Sequence, residues 1–133
     1  MPTANTILVV TAHPQLRQSL RDWLALHLPW CAIVAAAGVA EALTLGKEQL
    51  VQAFIVDLDG GRENGLAVVE RLREAAPETP LIALGLDRSP APRAAALTAG
   101  ATAYVPKDAL SSELLLLLKP LFARPMVENG ACH

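Results

Sequence analysis

The sequence is short of charge. Asp, Glu, Lys and Arg make up only 18% of the residues, and the formal net charge is -2. A basic nucleic-acid-binding face is therefore not indicated, and no direct nucleic-acid partner is expected for this domain. Cysteine is equally scarce. Cys31 and Cys132 are the two present, without metal-type spacing. Cys31 lies in an apolar stretch and reads as a buried or half-buried thiol, and a reduced, cytoplasmic protein is expected. There is no basic-plus-apolar leader at the N-terminus. No apolar run approaches the roughly 20 residues of a membrane span, so no membrane partner is expected. Internal repeats and low-complexity segments are absent. Apolar residues are plentiful: 53% of 133 residues, enough for one domain with a sizeable core.

Those apolar residues alternate between two periods. Thr6–Val10 is a short β-rich run that predicts a buried strand. Pro14 suits the first turn of a helix. Leu16, Leu20, Trp23, Leu24, His27 and Leu28 then recur at helical spacing, with Pro29 as a stop. Cys31–Ala36 predicts a second strand. Gly38–Gln49 predicts a short helix, with Val39, Ala42, Leu43 and Leu50 turned inward. Ala53–Asp57 is the third strand. Asn64 is a candidate N-cap for a helix whose apolar face carries Leu66, Val69 and Leu72. Leu81–Leu84 is the fourth strand. An Ala-rich helix after Pro92 is stopped by Gly100. Ala101–Pro106 is the fifth strand, and a last helix begins near Leu110 or Ser111 and ends near Leu118. The domain is expected over 1–123, with 124–133 as a tail or the start of a linker.

Strands alternating with helices imply an α/β fold with a doubly wound, five-stranded parallel sheet. The near-continuous apolar strands fit a sheet covered on both faces. Function in such sheets collects at the carboxyl ends of the strands. Asp57 stands at such an end, followed by Leu58-Asp59 and the turn Gly60–Gly65. Lys107 stands at another, after Tyr104-Val105-Pro106. A strand-end Asp facing a strand-end Lys is the core of a phosphoryl-accepting site.

These residues resemble the receiver domain of bacterial response regulators, over almost the whole chain. Ile7-Leu8-Val9-Val10 followed by His13-Pro14 is similar to the family's first strand and helix start. Asp57 resembles its phospho-accepting aspartate, and Gly65 the glycine closing the next loop. Ala99-Gly100-Ala101 through Tyr104 and Lys107 resembles its fifth-strand signature. The resemblance implies a (βα)5 flavodoxin-like fold with strand order 2-1-3-4-5. It implies that Lys107 supports the site and that Tyr104 is the aromatic whose rotamer reports activation. His13-Pro14 and Lys107-Asp108-Ala109 are most similar to the subgroup with a C-terminal helix-turn-helix.

Departures from the family pattern fall on the chemistry. Thr11 and Ala12 stand where the family carries two acidic residues that hold Mg²⁺, and hard cations need carboxylate oxygens. Gly85 stands where the family has a Ser or Thr hydroxyl that binds the phosphoryl group and couples it to the aromatic. Gly60-Gly61 replaces a frequent Met-Pro. Pro106 precedes Lys107, whereas the family commonly has a Lys-Pro bond. No Mg²⁺ or other cofactor, or weak Mg²⁺ binding at most, is therefore expected. Asp59 and Glu63 are either partial replacements for the lost ligands or solvated loop acids. Tyr104 is either a switch or an edge-strand aromatic packed on the surface.

Leu114–Leu118 is a run of five leucines. At about 100° per residue a helix cannot bury all of them against one sheet. Some face outward, either as an interface for a homodimer or under cover of Leu121-Phe122. Three functions fit the sequence. One is a degenerate, non-enzymatic receiver that acts as an interaction module for a histidine kinase or output domain. Another is a working receiver phosphorylated on Asp57 through an altered metal site. The third is a haloacid-dehalogenase-like phosphatase, from the likeness of Val56-Asp57-Leu58-Asp59-Gly60 to that nucleophile motif. In those enzymes, however, the motif follows the first strand and continues with Thr or Val.

Overall fold

The computed structural model describes residues 5–59 and 61–122. Gly60, Cys132 and the expected tail at 124–133 lie outside them. The elements run β1 (Asn5–Val10), α1 (Pro14–His27), β2 (Cys31–Ala36), α2 (Val39–Glu48), β3 (Ala53–Asp57), α3 (Gly65–Ala75), β4 (Leu81–Gly85), α4 (Pro90–Ala99) and β5 (Ala103–Pro106). After β5 come a 3₁₀ turn (Lys107–Ala109), a π turn (Leu110–Leu114) and α5 (Leu115–Leu118). All strand pairs are parallel, in the order β2-β1-β3-β4-β5. Fold class and strand order are those expected. Pro106, with no N–H to give, sits on the edge strand, where it breaks no interior ladder.

Alternation along each strand builds two cores. Leu8, Val10, Phe54, Val56, Leu81 and Ala83 face α2, α3 and α4, meeting Ala42, Val69, Leu72 and Ala96. Ile7, Val9, Ile55, Ile82, Leu84 and Val105 face the other side, meeting Leu20, Leu24 and Leu28 and then Leu114, Leu118 and Phe122. Fully burying one such side chain contributes about 1.5–3 kcal/mol. Because apolar helices cover both faces, the polar work of the fold is confined to the strand ends.

One inward assignment is corrected. Leu50 is 66% exposed, and Val51 is buried in its place. α2 ends at Glu48, and Gln49 is extended at φ -143°, ψ 155°. The helical period therefore stops before Leu50, and the strand period that follows turns Val51 inward. The last helix is also less regular than expected, opening with 3₁₀ and π turns. Asn64 caps α3 as expected, its Oδ1 accepting from the Leu66 and Ala67 N–H groups at 2.9 and 3.4 Å. Gly65 lets that helix start close to β3: a Cβ there would lie 2.6 Å from the Leu58 backbone.

Candidate functional site

The carboxyl ends of β1, β3 and β5 bring Thr11, Asp57, Asp59 and Lys107 together. Lys107 Nζ lies 2.6 Å from Asp57 Oδ1 and 3.4 Å from Asp59 Oδ2. The first contact is the one the sequence predicts for two strand-end residues in one crevice. Asp57 Oδ1 also accepts the Asp59 N–H at 2.9 Å. Its Oδ2 accepts the Thr11 hydroxyl at 2.7 Å. Thr11 Oγ1 in turn accepts the His13 N–H at 3.2 Å, and the Arg17 guanidinium donates to the Thr11 carbonyl at 2.8 Å. Both carboxylate oxygens of Asp57 are thus engaged by donors of this chain. Its side chain is only 1% exposed, and that of Lys107 15%.

Beside this cluster lies a cleft of about 460 Å³, bordered by Thr11, Ala12, Gly38, Asp57, Gly61 and Glu63. Ala12 brings only a methyl group to it. Glu63, one of the two acids weighed as a substitute ligand, points elsewhere: its Oε1 accepts the Val39 N–H at 2.9 Å. It thereby supplies the start of α2 with the anionic partner that Gly38, as N-cap, lacks. Glu41 takes the Ala37 N–H at 2.9 Å at the same turn. Asp59 Oδ2 accepts the Leu86 N–H at 2.8 Å as well as facing Lys107. It is neither a free ligand nor a free loop acid; it ties the β3 end to the loop after β4. Among the described residues no group of three His, Cys, Asp or Glu side chains is arranged to hold a metal ion.

Tyr104 departs from the surface reading. It is 2% exposed and belongs to the core under α2–α4. The cause is Gly85. A Cβ at that position would overlap the Tyr104 hydroxyl and lie 2.8 Å from Cε1 and Cζ of the ring. The ring fills that space, and its hydroxyl donates to the Asp87 carbonyl at 2.5 Å. The Arg93 guanidinium stands 5.4 Å above the ring and donates to the Tyr104 carbonyl at 3.2 Å. Burial, followed by the charges of Asp59 and Asp87, raises the phenol above its ordinary 10.0.

Sequence reasoning missed three things here. The Thr11 hydroxyl serves Asp57, and Glu63 serves α2. Arg73 binds the carbonyls of Ala76, Pro77, Thr79 and Gly100 at 2.7–3.0 Å, closing the opposite end of the sheet. Only Arg73 carried a readable signal, as a basic residue in the last turn of a helix. Of the five leucines, Leu114 and Leu118 are buried, Leu115 is half-buried, and Leu116 and Leu117 are 71% and 37% exposed. Phe122 tucks into the core, while Leu121 is itself exposed and does not shield them.

Comparison with known proteins agrees with this geometry. The response regulator receiver domain family matches residues 7–119. The response regulator MprA of Mycolicibacterium vanbaalenii is 33% identical over 125 residues, covering 94% of this chain and 53% of its own. The chain therefore spans about half the length of the curated relatives it matches. A LuxR-family two-component response regulator from Aurantimonas superposes with TM-score 0.78 at 27% identity, covering 92% of this chain and 86% of that one. The signal receiver domain of a DNA-binding response regulator from Colwellia psychrerythraea gives TM-score 0.81 at 18% identity, over 90% and 99%. The match over residues 7–119, borne on a parallel sheet in this order, places the chain in the response regulator receiver domain family of two-component signalling.

Proposed function

We propose that this receiver is a regulatory interaction module whose Mg²⁺ and phosphorylation site is impaired, and that it performs no catalysis of its own. The observation that carries the reading is the state of Asp57. Its side chain is 1% exposed, and both carboxylate oxygens are engaged, by Thr11, Lys107 and the Asp59 N–H. An acceptor in phosphoryl transfer needs an accessible oxygen in line with the leaving group and cations to spread the oxygen charge. Mg²⁺ demands a near-octahedral set of oxygens, usually with one or two carboxylates. Thr11 directs its hydroxyl hydrogen at Asp57, Ala12 supplies no oxygen from its side chain, and Asp59 is turned to Lys107 and the Leu86 N–H. The residues present do not fit the ion.

In this reading the domain sits in the bacterial cytoplasm, and its partners are a histidine kinase or an output domain. Leu116 and Leu117 supply the apolar face for a homodimer. The resemblance to the helix-turn-helix subgroup supports a DNA-binding output domain as the output partner.

Incubation with acetyl phosphate and Mg²⁺, read by intact mass, tests the reading. The expected result is no adduct on the native protein. Calorimetry should show no sub-millimolar Mg²⁺ binding. The paired substitution Thr11→Asp, Ala12→Asp should bring binding back, because it supplies the missing carboxylates. A phosphoryl adduct on Asp57 of the native protein would establish the competing reading, a working receiver with an altered metal site.

A further inference from the structure

A polar path runs from the acidic cluster to α4. Lys107 bridges Asp57 and Asp59, and Asp59 takes the Leu86 N–H. Asp87, the next residue, gives its carbonyl to the Tyr104 hydroxyl and its carboxylate to the Ser89 N–H at 2.8 Å. Tyr104 in turn is held by Arg93 of α4. The loop between β4 and α4 is thus pinned on one side by Asp59 and on the other by Tyr104.

The Tyr104 ring can lie where it does because residue 85 has no side chain. On this backbone a Cβ at 85 and the inward ring exclude one another. With glycine there, an outward ring would leave a void of aromatic size in a close-packed core and would strip the Asp87 carbonyl of its donor. We infer that Gly85 is the positioning residue that locks Tyr104 inward, so that the β4–α4 loop and the start of α4 keep one arrangement whatever the state of Asp57. The acidic cluster and the α4 surface are then joined by a fixed strut in place of a switch.

Tyr104 is the chain's one tyrosine, so nitration by tetranitromethane and the phenol's absorbance titration report on it alone. In the native protein nitration should run at least about tenfold slower than in the urea-unfolded chain. Addition of beryllofluoride and Mg²⁺ should leave that rate unchanged. Gly85→Ala and Gly85→Thr should each raise it about tenfold and bring the titration midpoint down toward 10.0. A double-mutant cycle adds a readout independent of the chemistry: Gly85→Ala should lower the urea midpoint when Tyr104 is present and spare it in a Tyr104→Ala background. Should Gly85→Ala alone fail to fold, recovery of the fold by adding Tyr104→Ala gives the same support. Equal damage in both backgrounds overturns the inference. So does a nitration rate insensitive to Gly85→Ala, or one that beryllofluoride changes. The Gly85 and Tyr104 variants need no phosphoryl donor, so their failure is separable from failure of the phosphorylation reading, which the mass of the acetyl phosphate-treated protein decides; an effect of beryllofluoride would overturn both.

Discussion

Lys107 holds two carboxylates at once, and one of them, on Asp57, has almost no contact with water. Removing the cation therefore does more harm than its own bond suggests, because an uncompensated charge is left in a low-dielectric place. Lys107→Met, which keeps the stem's bulk, should cost about 3 kcal/mol, measured as a lowered urea midpoint at neutral pH. Asp57→Asn should cost only about 1 kcal/mol, since an amide oxygen can still accept from Lys107 and the Asp59 N–H. If Lys107→Met proved as mild as a surface substitution, the pair would be ornamental. Much of this site was legible in the chain. Asp57 and Lys107 close apolar runs, and parallel topology puts strand ends side by side. Tyr104 was not legible in the same way. Edge position argues for the surface, while its burial is decided by an absent Cβ on the neighbouring strand. Glu63, in the loop before α3, escaped for a related reason: its partner is a backbone N–H of α2, 24 residues back along the chain, and no local spacing encodes that contact.

The last helical segment shows what one element does with too many leucines. Its π turn at Leu110–Leu114 widens the spiral before the regular turn begins, so Leu114 and Leu118 still reach the core. Leu116 and Leu117 are left facing out. Burying each against a partner could contribute about 1.5–3 kcal/mol before association entropy is subtracted. Leu116→Glu with Leu117→Glu should abolish self-association without lowering thermal stability appreciably. Sedimentation velocity of native and variant proteins checks this, and a native protein that stays monomeric at high concentration removes the dimer. The period of the helix foretold outward leucines but not which ones, because the 3₁₀ and π turns shift the phase. α2 teaches the same lesson through Leu50, whose outward turn follows from a helix ending two residues earlier.

For the molecule as a whole, the near-continuous apolar strands were enough to foresee a sheet buried on both faces and the alternation of elements enough to foresee a parallel one, while the strand order followed from the family resemblance. Two groups in those cores make stability depend on pH at the alkaline end. Burial raises the Cys31 thiol above 9.0 and the Tyr104 phenol above 10.0. Both are neutral when protonated, so the fold favours the protonated forms. Their contribution is complete below the unfolded-chain values and is lost as pH rises through the higher folded values. Urea midpoints taken from about pH 8 to about pH 11 should fall across that window, and Cys31→Ala with Tyr104→Phe should flatten the decline. A decline of the same steepness in the double variant would mean that other groups drive it.

The Trp30 indole N–H donates to the Phe122 carbonyl at 2.9 Å. Phe122 packs with Leu118 in the core that α1 also covers. A pull on the chain at Phe122 is therefore met also at the turn between α1 and β2, across the sheet from the β5 edge. Under load the molecule is anchored like a rope hitched to the far rail. Tension from anything fused at that end would reach the β2 edge through this contact and the β5 edge through the last helix, loading both edges of the sheet at once.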